Sequence, residues 1–238
     1  GGDAADRGAD RGADAAARGG ALEIGLQRST FKYVLYTHFS EAGLSLHHSQ
    51  RAGACGVLAL TETSDGYLVF GRRSSAQACL PGHWHCVPAG QLDSADPGEV
   101  LRKELEEETG ACWGEVAEAG LLAVMDTGAE QGHRPMFAYQ LKLLLGAADL
   151  YKRCLQAEDR GEHDRFLFVR SPRPQDAAPP AREAGPSGPP IGGATVASAT
   201  FPSMSLGAFL GGEYVLTDVC RRALRLLEEI AGPARRDA

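Results

Sequence analysis

The sequence predicts an α/β fold in which helices cover a mixed β-sheet, an α/β/α sandwich. Two observations predict this class. Short β-rich runs alternate with amphipathic helical patterns, and residues 31–169 contain enough Leu, Val, Ile and Phe to bury a sizeable core. The hydrophobic content of 43% and the charged content of 23% are those of an ordinary globular protein, which makes such a core reasonable.

Six β-rich runs are predicted as strands. The turn residues Ser64, Asp65 and Gly66 separate the first two runs, and the third ends at Ala89 and Gly90. The six runs lie at 55–60, 67–70, 84–88, 121–125, 136–145 and 166–169.

Three segments are predicted as helices, at 97–110, 148–157 and 214–230. The first has Pro97 near its start and Gly110 at its end, the positions that these residue types favour in helices. The last carries an apolar stripe, which is typical of core packing. The stripe consists of Val215, Val219, Leu224 and Leu227.

Two low-complexity segments accompany the predicted domain. Residues 1–20 consist mainly of Ala, Gly, Asp and Arg and cannot bury enough apolar surface to offset the entropy of ordering, so we expect a disordered tail. Residues 171–200 are rich in Pro, Gly and Ala, which favours a flexible insertion. We therefore predict a single domain at 30–232 that contains this insertion.

The charge of the chain limits the classes of partner. A formal net charge of -7 argues against broad nucleic-acid binding, because such binding needs a basic face to neutralise phosphates. No apolar run reaches the roughly 20 residues that span a bilayer. We therefore expect a small-molecule partner, no nucleic acid and no membrane, and we leave a homodimer open.

Cysteine usage and the N-terminal composition bear on the cellular compartment. The six cysteines include no CxxC pair and no compact framework, which favours reduced thiols. The first 20 residues lack an apolar stretch and are too acidic for an organelle transit peptide. These features favour a cytoplasmic location, although the chain begins with Gly1 rather than Met.

The predicted helix at 97–110 concentrates carboxylates on one face. Residues three and four apart share a helix face, so Glu104, Glu107 and Glu108 cluster, while Leu101 and Leu105 form an adjoining apolar stripe. A solvated acidic face is the common reason for such a pattern. Hard cations such as Mg²⁺ or Mn²⁺ prefer several oxygen ligands, so a cation site is the other interpretation.

The segment 88–111, PAGQLDSADPGEVLRKELEEETGA, resembles the Nudix box, and its second half matches residue by residue over 103–111. The resemblance extends over roughly residues 50–170 and covers the flanking residues only loosely. It implies a Nudix-type sandwich and Mg²⁺ (or Mn²⁺) held by Glu104, Glu107 and Glu108 with a backbone carbonyl near Ala89 or Gly90.

The segment departs from the Nudix pattern at two places. Lys103 stands where the family has arginine, and a lysine offers a point charge instead of a planar fork. We expect Lys103 to pair more loosely with Glu107, and we expect Arg102 to point away from the carboxylate face. The loop from Gly90 to Glu104 is one residue short of the family's spacing.

The resemblance implies a metal-dependent hydrolase that cleaves the diphosphate linkage of a nucleoside diphosphate joined to another moiety. A faint resemblance of residues 201–208 to UDP-sugar-cleaving members favours a nucleotide sugar. The main alternative is a non-catalytic Nudix-fold module that binds a nucleotide, which the two departures favour. An RNA-associated Nudix protein is less favoured, because the chain is acidic.

Residues outside the carboxylate cluster complete the candidate site. The general base is Glu107 or Glu104, or lies outside the box at Glu162 or Asp164, which otherwise belong to a polar loop. Arginines 72 and 73 either reach a substrate phosphate or pair with the acidic helix.

A zinc site near residue 85 is disfavoured. His83 and His85 fall on one face of a strand and Cys86 falls on the other, so the three side chains cannot converge on one ion.

Overall fold

The computed structural model describes residues 28–47, 50–127, 133–172 and 201–231. The predicted tail at 1–20 lies outside these residues. Of the predicted insertion at 171–200, only Ser171 and Pro172 lie within them. The single-domain boundary therefore stays a prediction.

An eight-stranded mixed sheet forms the centre of the molecule. The strand order is β5-β6-β1-β2-β7-β8, with β3 paired to β2 and β4 paired to β1. The β1–β6 and β7–β8 pairs are parallel, and the remaining pairs are antiparallel. The strands are β1 (Gly56–Glu62), β2 (Tyr67–Arg73), β3 (Trp84–Cys86), β4 (Ala89–Gln91), β5 (Val116–Asp126), β6 (Pro135–Leu143), β7 (His163–Arg170) and β8 (Ser203–Ser205).

Helices cover both faces of this sheet, because side chains alternate along each strand. In β1, Leu58 and Leu60 point into the core beneath α6, whereas Val57 and Ala59 point into the core beneath α3 and α4. The predicted α/β class with a mixed sheet is therefore confirmed. The helices are α1 (Phe31–Phe39), α2 (Glu41–Leu44), α3 (Pro97–Thr109), α4 (Ala147–Cys154), α5 (Leu206–Gly211) and α6 (Asp218–Ala231).

All six predicted strands and all three predicted helices are present, with shifted ends. The largest shift is in β5, which begins at Val116 rather than at 121, and the last helix begins at Asp218 rather than at 214. The residues before it form a bridge between Trp84 and Leu216, so Val215 precedes the helix and is 54% exposed. Including Val215 in the buried stripe was therefore wrong.

The elements that the sequence did not predict are short or lie at the start of the chain. Strands β4 and β8 have three residues each, too few for an alternating pattern to be recognised. Helices α1, α2 and α5 were also missed. Within the described ranges no helix is both long and apolar enough to cross a membrane.

Candidate functional site

The ends of α3 are fixed by local capping. Asp96 precedes the helix and accepts a hydrogen bond from the Gly98 N–H at 2.8 Å, and Pro97 follows at the first helical position. At the other end Gly110 adopts a left-handed conformation with φ of 69°, and its N–H donates to the Glu106 carbonyl at 2.9 Å. These caps fix where α3 begins and ends.

The faces of α3 differ as the sequence predicts. Leu101 and Leu105 are buried against the sheet and anchor the helix. Glu108 is also buried, with 2% of its surface exposed, and Glu104 and Glu107 are half-buried beside it. The helix therefore turns three carboxylates towards the interior side.

Strand β4 lies directly against these carboxylates. A Cβ atom placed on Gly90 would lie 2.0 Å from Oε1 of Glu104, so only glycine allows the present approach of the strand to this side chain. The preceding residue, Ala89, donates its backbone N–H to Oε2 of Glu108 at 3.2 Å. The register of Val57 with Gly90 ties this point to the central strand β1.

Burial and mutual repulsion disfavour charge on this cluster. Burial, together with the charge of Glu107, raises the pKa of Glu104 to about 7. Burial likewise raises the pKa of Glu108 well above its ordinary value, with a contribution from Glu104. A cation bound among these carboxylates would offset both effects.

A turn before β7 brings Glu162 to the cluster. Glu162 ends the 3-10 turn Arg160–Glu162, which is attached to α3 by a hydrogen bond from the Asp159 N–H to the Glu107 carbonyl at 2.9 Å. Burial raises the pKa of Glu162, and its charge contributes to the raised pKa values of Glu104 and Glu108. The sequence alone could not show this proximity across about 55 residues.

Asp164, the other base candidate outside the helix, is engaged by Arg72. Two guanidinium nitrogens of Arg72 donate to its carboxylate at 2.7 and 2.5 Å. These hydrogen bonds are the main reason that the pKa of Asp164 lies below its ordinary value. A carboxylate held in this way is a weak base, so the geometry favours Glu162 over Asp164 as the proton acceptor.

Lys103 behaves as its place in the segment predicts. Its ammonium lies 3.9 Å from Oε2 of Glu107 and 2.9 Å from Oδ2 of Asp93, so the pairing with Glu107 is the looser of the two. Arg102 turns away and stacks over the ring of Trp113, 5.0 Å from its centroid. Both expectations are confirmed, and Asp93 is a partner that the sequence did not indicate.

Arg73, at the end of β2, occupies a different setting from Arg72. Its guanidinium donates to the Cys79 carbonyl at 2.7 Å and to Oε1 of Gln77 at 3.2 Å. The pKa values of Glu108 and Glu162 are raised by burial, and the positive charge of Arg73 partly opposes that rise. Arg73 therefore lies close to both carboxylates. Neither arginine forms an ion pair with α3 among the residues described.

A cavity of about 100 Å³ is lined in part by Gly90. Its polar lining includes Arg73, together with Arg134, His85 and Thr217, which the sequence did not indicate. No motif surrounds Arg134, whose position depends on the pairing of β6 with β1. Trp84, on the neighbouring strand, is 8% exposed and packs in the core.

The donor set fits a hard divalent cation. Glu104, Glu107 and Glu108 offer carboxylate oxygens, which hard cations prefer, and Gly90 lies directly against Glu104. The side chains would have to draw together, because in 28–47, 50–127, 133–172 and 201–231 no group of three His, Cys, Asp or Glu is arranged to hold a metal as it stands.

Comparisons with known proteins show only distant likeness. No family model and no curated protein matches the chain. Among solved structures, the MutT protein from Methanosarcina mazei Go1 is 17% identical with a TM-score of 0.40, over 75% of this chain and 96% of that one. DR0079 from Deinococcus radiodurans is 21% identical with a TM-score of 0.33, and the match spans 39% of this chain and 60% of that one.

A third similar structure is the NUDIX domain of Shewanella oneidensis NrtR, solved with ADP ribose. It is 17% identical with a TM-score of 0.34, over 46% of this chain and 74% of that one. Likenesses of this size assign neither a family nor an activity to the chain. The function must therefore be inferred from the residues of this chain.

Proposed function

We propose that the chain is a Nudix-type hydrolase that cleaves the diphosphate linkage of a nucleoside diphosphate joined to another moiety. The observation that carries this proposal is the packing of Gly90 against Glu104. Any side chain at position 90 of β4 would displace the carboxylate of Glu104. Together with the matching segment 103–111, this packing supports a cation site rather than a solvated acidic face.

The ion is Mg²⁺ or Mn²⁺. Glu104, Glu107 and Glu108 would hold it, with the backbone carbonyl of Gly90. When bound, it would supply positive charge to the diphosphate and lower the pKa of an attacking water.

The residues of the chain position the water and receive its proton. The water oxygen forms a bond to one phosphorus, the bond from that phosphorus to the bridging oxygen breaks, and two phosphorylated products leave. Glu162 accepts the proton, since burial raises its pKa and its charge acts on Glu104 and Glu108. Within the helix, Glu104 and Glu107 are the other groups that could accept it.

Arginine side chains bind the substrate. Arg73 lines the cavity beside Gly90 and is placed to reach a phosphate oxygen. Arg72 would do so only by exchanging its hydrogen bonds with Asp164. We retain both residues as substrate-binding candidates, with Arg73 favoured by its position.

The nucleotide-sugar preference depends on the resemblance of residues 201–208. Phe201 packs edge-on against Tyr67 and Phe168, which is a structural role. Because of the resemblance of residues 201–208, a nucleotide sugar is the first substrate class to test. A small-molecule partner and a cytoplasmic location belong to the same proposal, and sedimentation of the purified protein would test a homodimer.

A second candidate is a nucleotide-binding module without hydrolysis. The loose contact of Lys103 with Glu107 favours it, because the carboxylate is not oriented by a planar fork. The raised pKa values of buried Glu104 and Glu108 count against it, since a module that does not hold a cation gains nothing from their repulsion.

Hydrolysis of a panel of nucleotide sugars, dinucleotides and nucleoside triphosphates with Mg²⁺ or Mn²⁺ tests the proposal. The comparison is with Glu107→Gln/Glu108→Gln and with the control Glu99→Gln/Glu106→Gln, which removes two exposed carboxylates of the same helix. Metal-dependent turnover that only the first variant loses supports the hydrolase. Binding of a nucleotide without turnover by the wild type supports the module instead.

A further inference from the structure

A second cavity, much larger than the one lined in part by Gly90, opens beside β7. Its volume is about 600 Å³. Pockets that hold whole small molecules measure roughly 300–1,000 Å³, so this cavity is large enough for a nucleoside and the one of about 100 Å³ is not. We call the larger cavity the β7 cleft. Its lining includes Trp84, Tyr151, His163, Phe166, Pro202 and Tyr214.

The cleft lies along the part of β7 that β8 does not reach. β8 pairs with β7 only from Phe168 to Arg170, so among the described residues no strand pairs with this edge at Phe166. The N–H of Phe168 donates to the Pro202 carbonyl at 2.9 Å, and residues two apart in a strand direct their backbone groups to the same side. Phe166 therefore presents an N–H donor and a C=O acceptor at the edge beside the cleft.

Tyrosine rings flank this edge on both faces of the sheet. Tyr151, on α4, packs with the core beneath α3 and α4, whereas Tyr214 packs with the core beneath α6. Both side chains are half-buried and line the cleft. A planar heterocycle whose edge meets the β7 backbone would therefore have a tyrosine on each of its two faces. Aromatic side chains stack on every nucleobase, because each base has a π-face.

A buried histidine adds an unused polar atom to the cleft. The side chain of His163 is 6% exposed, and its Nδ1 has no hydrogen-bond partner within the described part of the chain. A buried polar atom without a partner costs free energy, so a ligand that forms a hydrogen bond with it is favoured. Gly161 also lines the cleft, on the other side of Glu162 in the sequence. The cleft therefore adjoins the proposed general base.

We propose that the β7 cleft binds the nucleobase of the substrate, with the base edge on the backbone of Phe166 and its faces against Tyr151 and Tyr214. This inference deepens the proposed function and rests on it, because the nucleoside diphosphate supplies the base. The attached diphosphate would then extend past Glu162 towards the carboxylates of α3. Backbone donors and acceptors in an aromatic pocket are the groups that fix the orientation of such ligands.

Calorimetric titration with uridine, adenosine and ribose 5-phosphate in EDTA tests the cleft without catalysis. We expect the wild type to bind a nucleoside but not ribose 5-phosphate. Tyr151→Leu and Tyr214→Leu each remove one ring and keep apolar bulk. Each should weaken the affinity by about 5- to 150-fold, the range for the loss of one stack between a base and an aromatic ring.

Two matched variants control for the substitutions. Tyr151→Phe keeps the ring and should bind the nucleoside within a few-fold of the wild type. Tyr36→Leu, which removes an exposed ring on α1, should match the wild type. Thermal unfolding of each variant checks that it is folded. Absence of nucleoside binding by the wild type, or equal weakening by Tyr36→Leu, overturns the inference.

Photocrosslinking with an azido-substituted form of the nucleoside that binds locates the site directly. Label on peptides that contain Tyr151, Phe166 or Tyr214 supports the cleft. Label confined to residues that line the smaller cavity, such as 54–57 and 134–136, overturns it.

Steady-state kinetics separate this inference from the proposed function. A raised KM with little change in kcat for Tyr151→Leu supports both. Nucleoside binding that depends on Tyr151 and Tyr214, without turnover of any panel compound by the wild type, leaves the cleft standing as a nucleoside site and removes the hydrolase. Turnover with unchanged KM and unchanged nucleoside affinity in both leucine variants overturns the cleft alone.

Discussion

At the scale of single residues, the acidic side chains around α3 differ in what surrounds them. Glu108 is buried and Glu104 is half-buried, and Glu162 approaches both from the turn before β7. Asp164, two residues further on, is hydrogen-bonded to Arg72. Two carboxylates so close in sequence therefore have opposite pKa shifts, raised for Glu162 and lowered for Asp164.

This difference predicts the identity of the general base. We expect Glu162→Gln to lower kcat by about 100- to 10,000-fold, the usual contribution of a general base, while the affinity for Mn²⁺ is kept. Asp164→Asn, the matched change on the neighbouring carboxylate, should leave kcat within a few-fold of the wild type. Steady-state kinetics measure both. Equal losses in the two variants would contradict the assignment.

At the scale of elements, the contact between β4 and α3 joins the sheet to the chemistry. We expect Gly90→Ala to lower kcat/KM by about 100-fold, because the new methyl group displaces the Glu104 carboxylate by an ångström or more. The displaced atoms are the end of a flexible side chain, so the midpoint of thermal unfolding should change little.

A double-mutant cycle tests whether Gly90 acts through Glu104. In a Glu104→Ala background, adding Gly90→Ala should cost no further activity, since the side chain that it displaces is gone. If the two losses multiply instead, Gly90 acts by another route.

The N-terminal cap of α3 makes a separate prediction about stability. Asp96→Ala removes the acceptor for the Gly98 N–H and should lower the free energy of unfolding by about 1 kcal/mol. Asp96→Asn retains an acceptor and should lose much less. Urea denaturation measures both, and an equal loss for the two variants would show that the cap is not the cause.

At the scale of the whole molecule, the sequence predicted what depends on local patterns. Alternation and turn residues located six of the eight strands, and Pro97 with Gly110 located α3 almost to the residue. The partners of Glu162 and Arg134 could not be predicted, because each reaches the site through strand pairing between distant segments. The three-residue strand β4, which carries Gly90, was too short to give a pattern.

Two buried histidines connect the whole fold to pH. Burial lowers the pKa of His85 to about 3 and that of His163 to about 4, with the charge of Arg73 contributing to both. The unfolded chain protonates near pH 6.5 and so binds protons more readily. The contribution of the two neutral histidines to the free energy of unfolding is therefore fully present above pH 6.5. It is lost as the pH falls from 6.5 towards their folded-state pKa values of about 4 and 3.

Removing one of these imidazoles should flatten the acid side of the stability profile. We expect His85→Asn to reduce the slope of unfolding free energy against pH by up to about 1.4 kcal/mol per pH unit between pH 6 and 4.5. His47→Asn, which removes an exposed imidazole, is the control for the substitution itself. Denaturation at a series of pH values gives the slopes, and an unchanged slope for His85→Asn would count against a neutral buried ring.

The proposed function requires that the carboxylate face of α3 holds a divalent cation. Titration with Mn²⁺, followed by electron paramagnetic resonance, measures this most directly. We predict that the wild type binds Mn²⁺ and that Glu104→Gln weakens the binding by about 10-fold or more. Glu106→Gln, on the exposed side of the same helix, should leave it unchanged. Absence of Mn²⁺ binding to the wild type, or equal weakening by the two substitutions, would contradict the account.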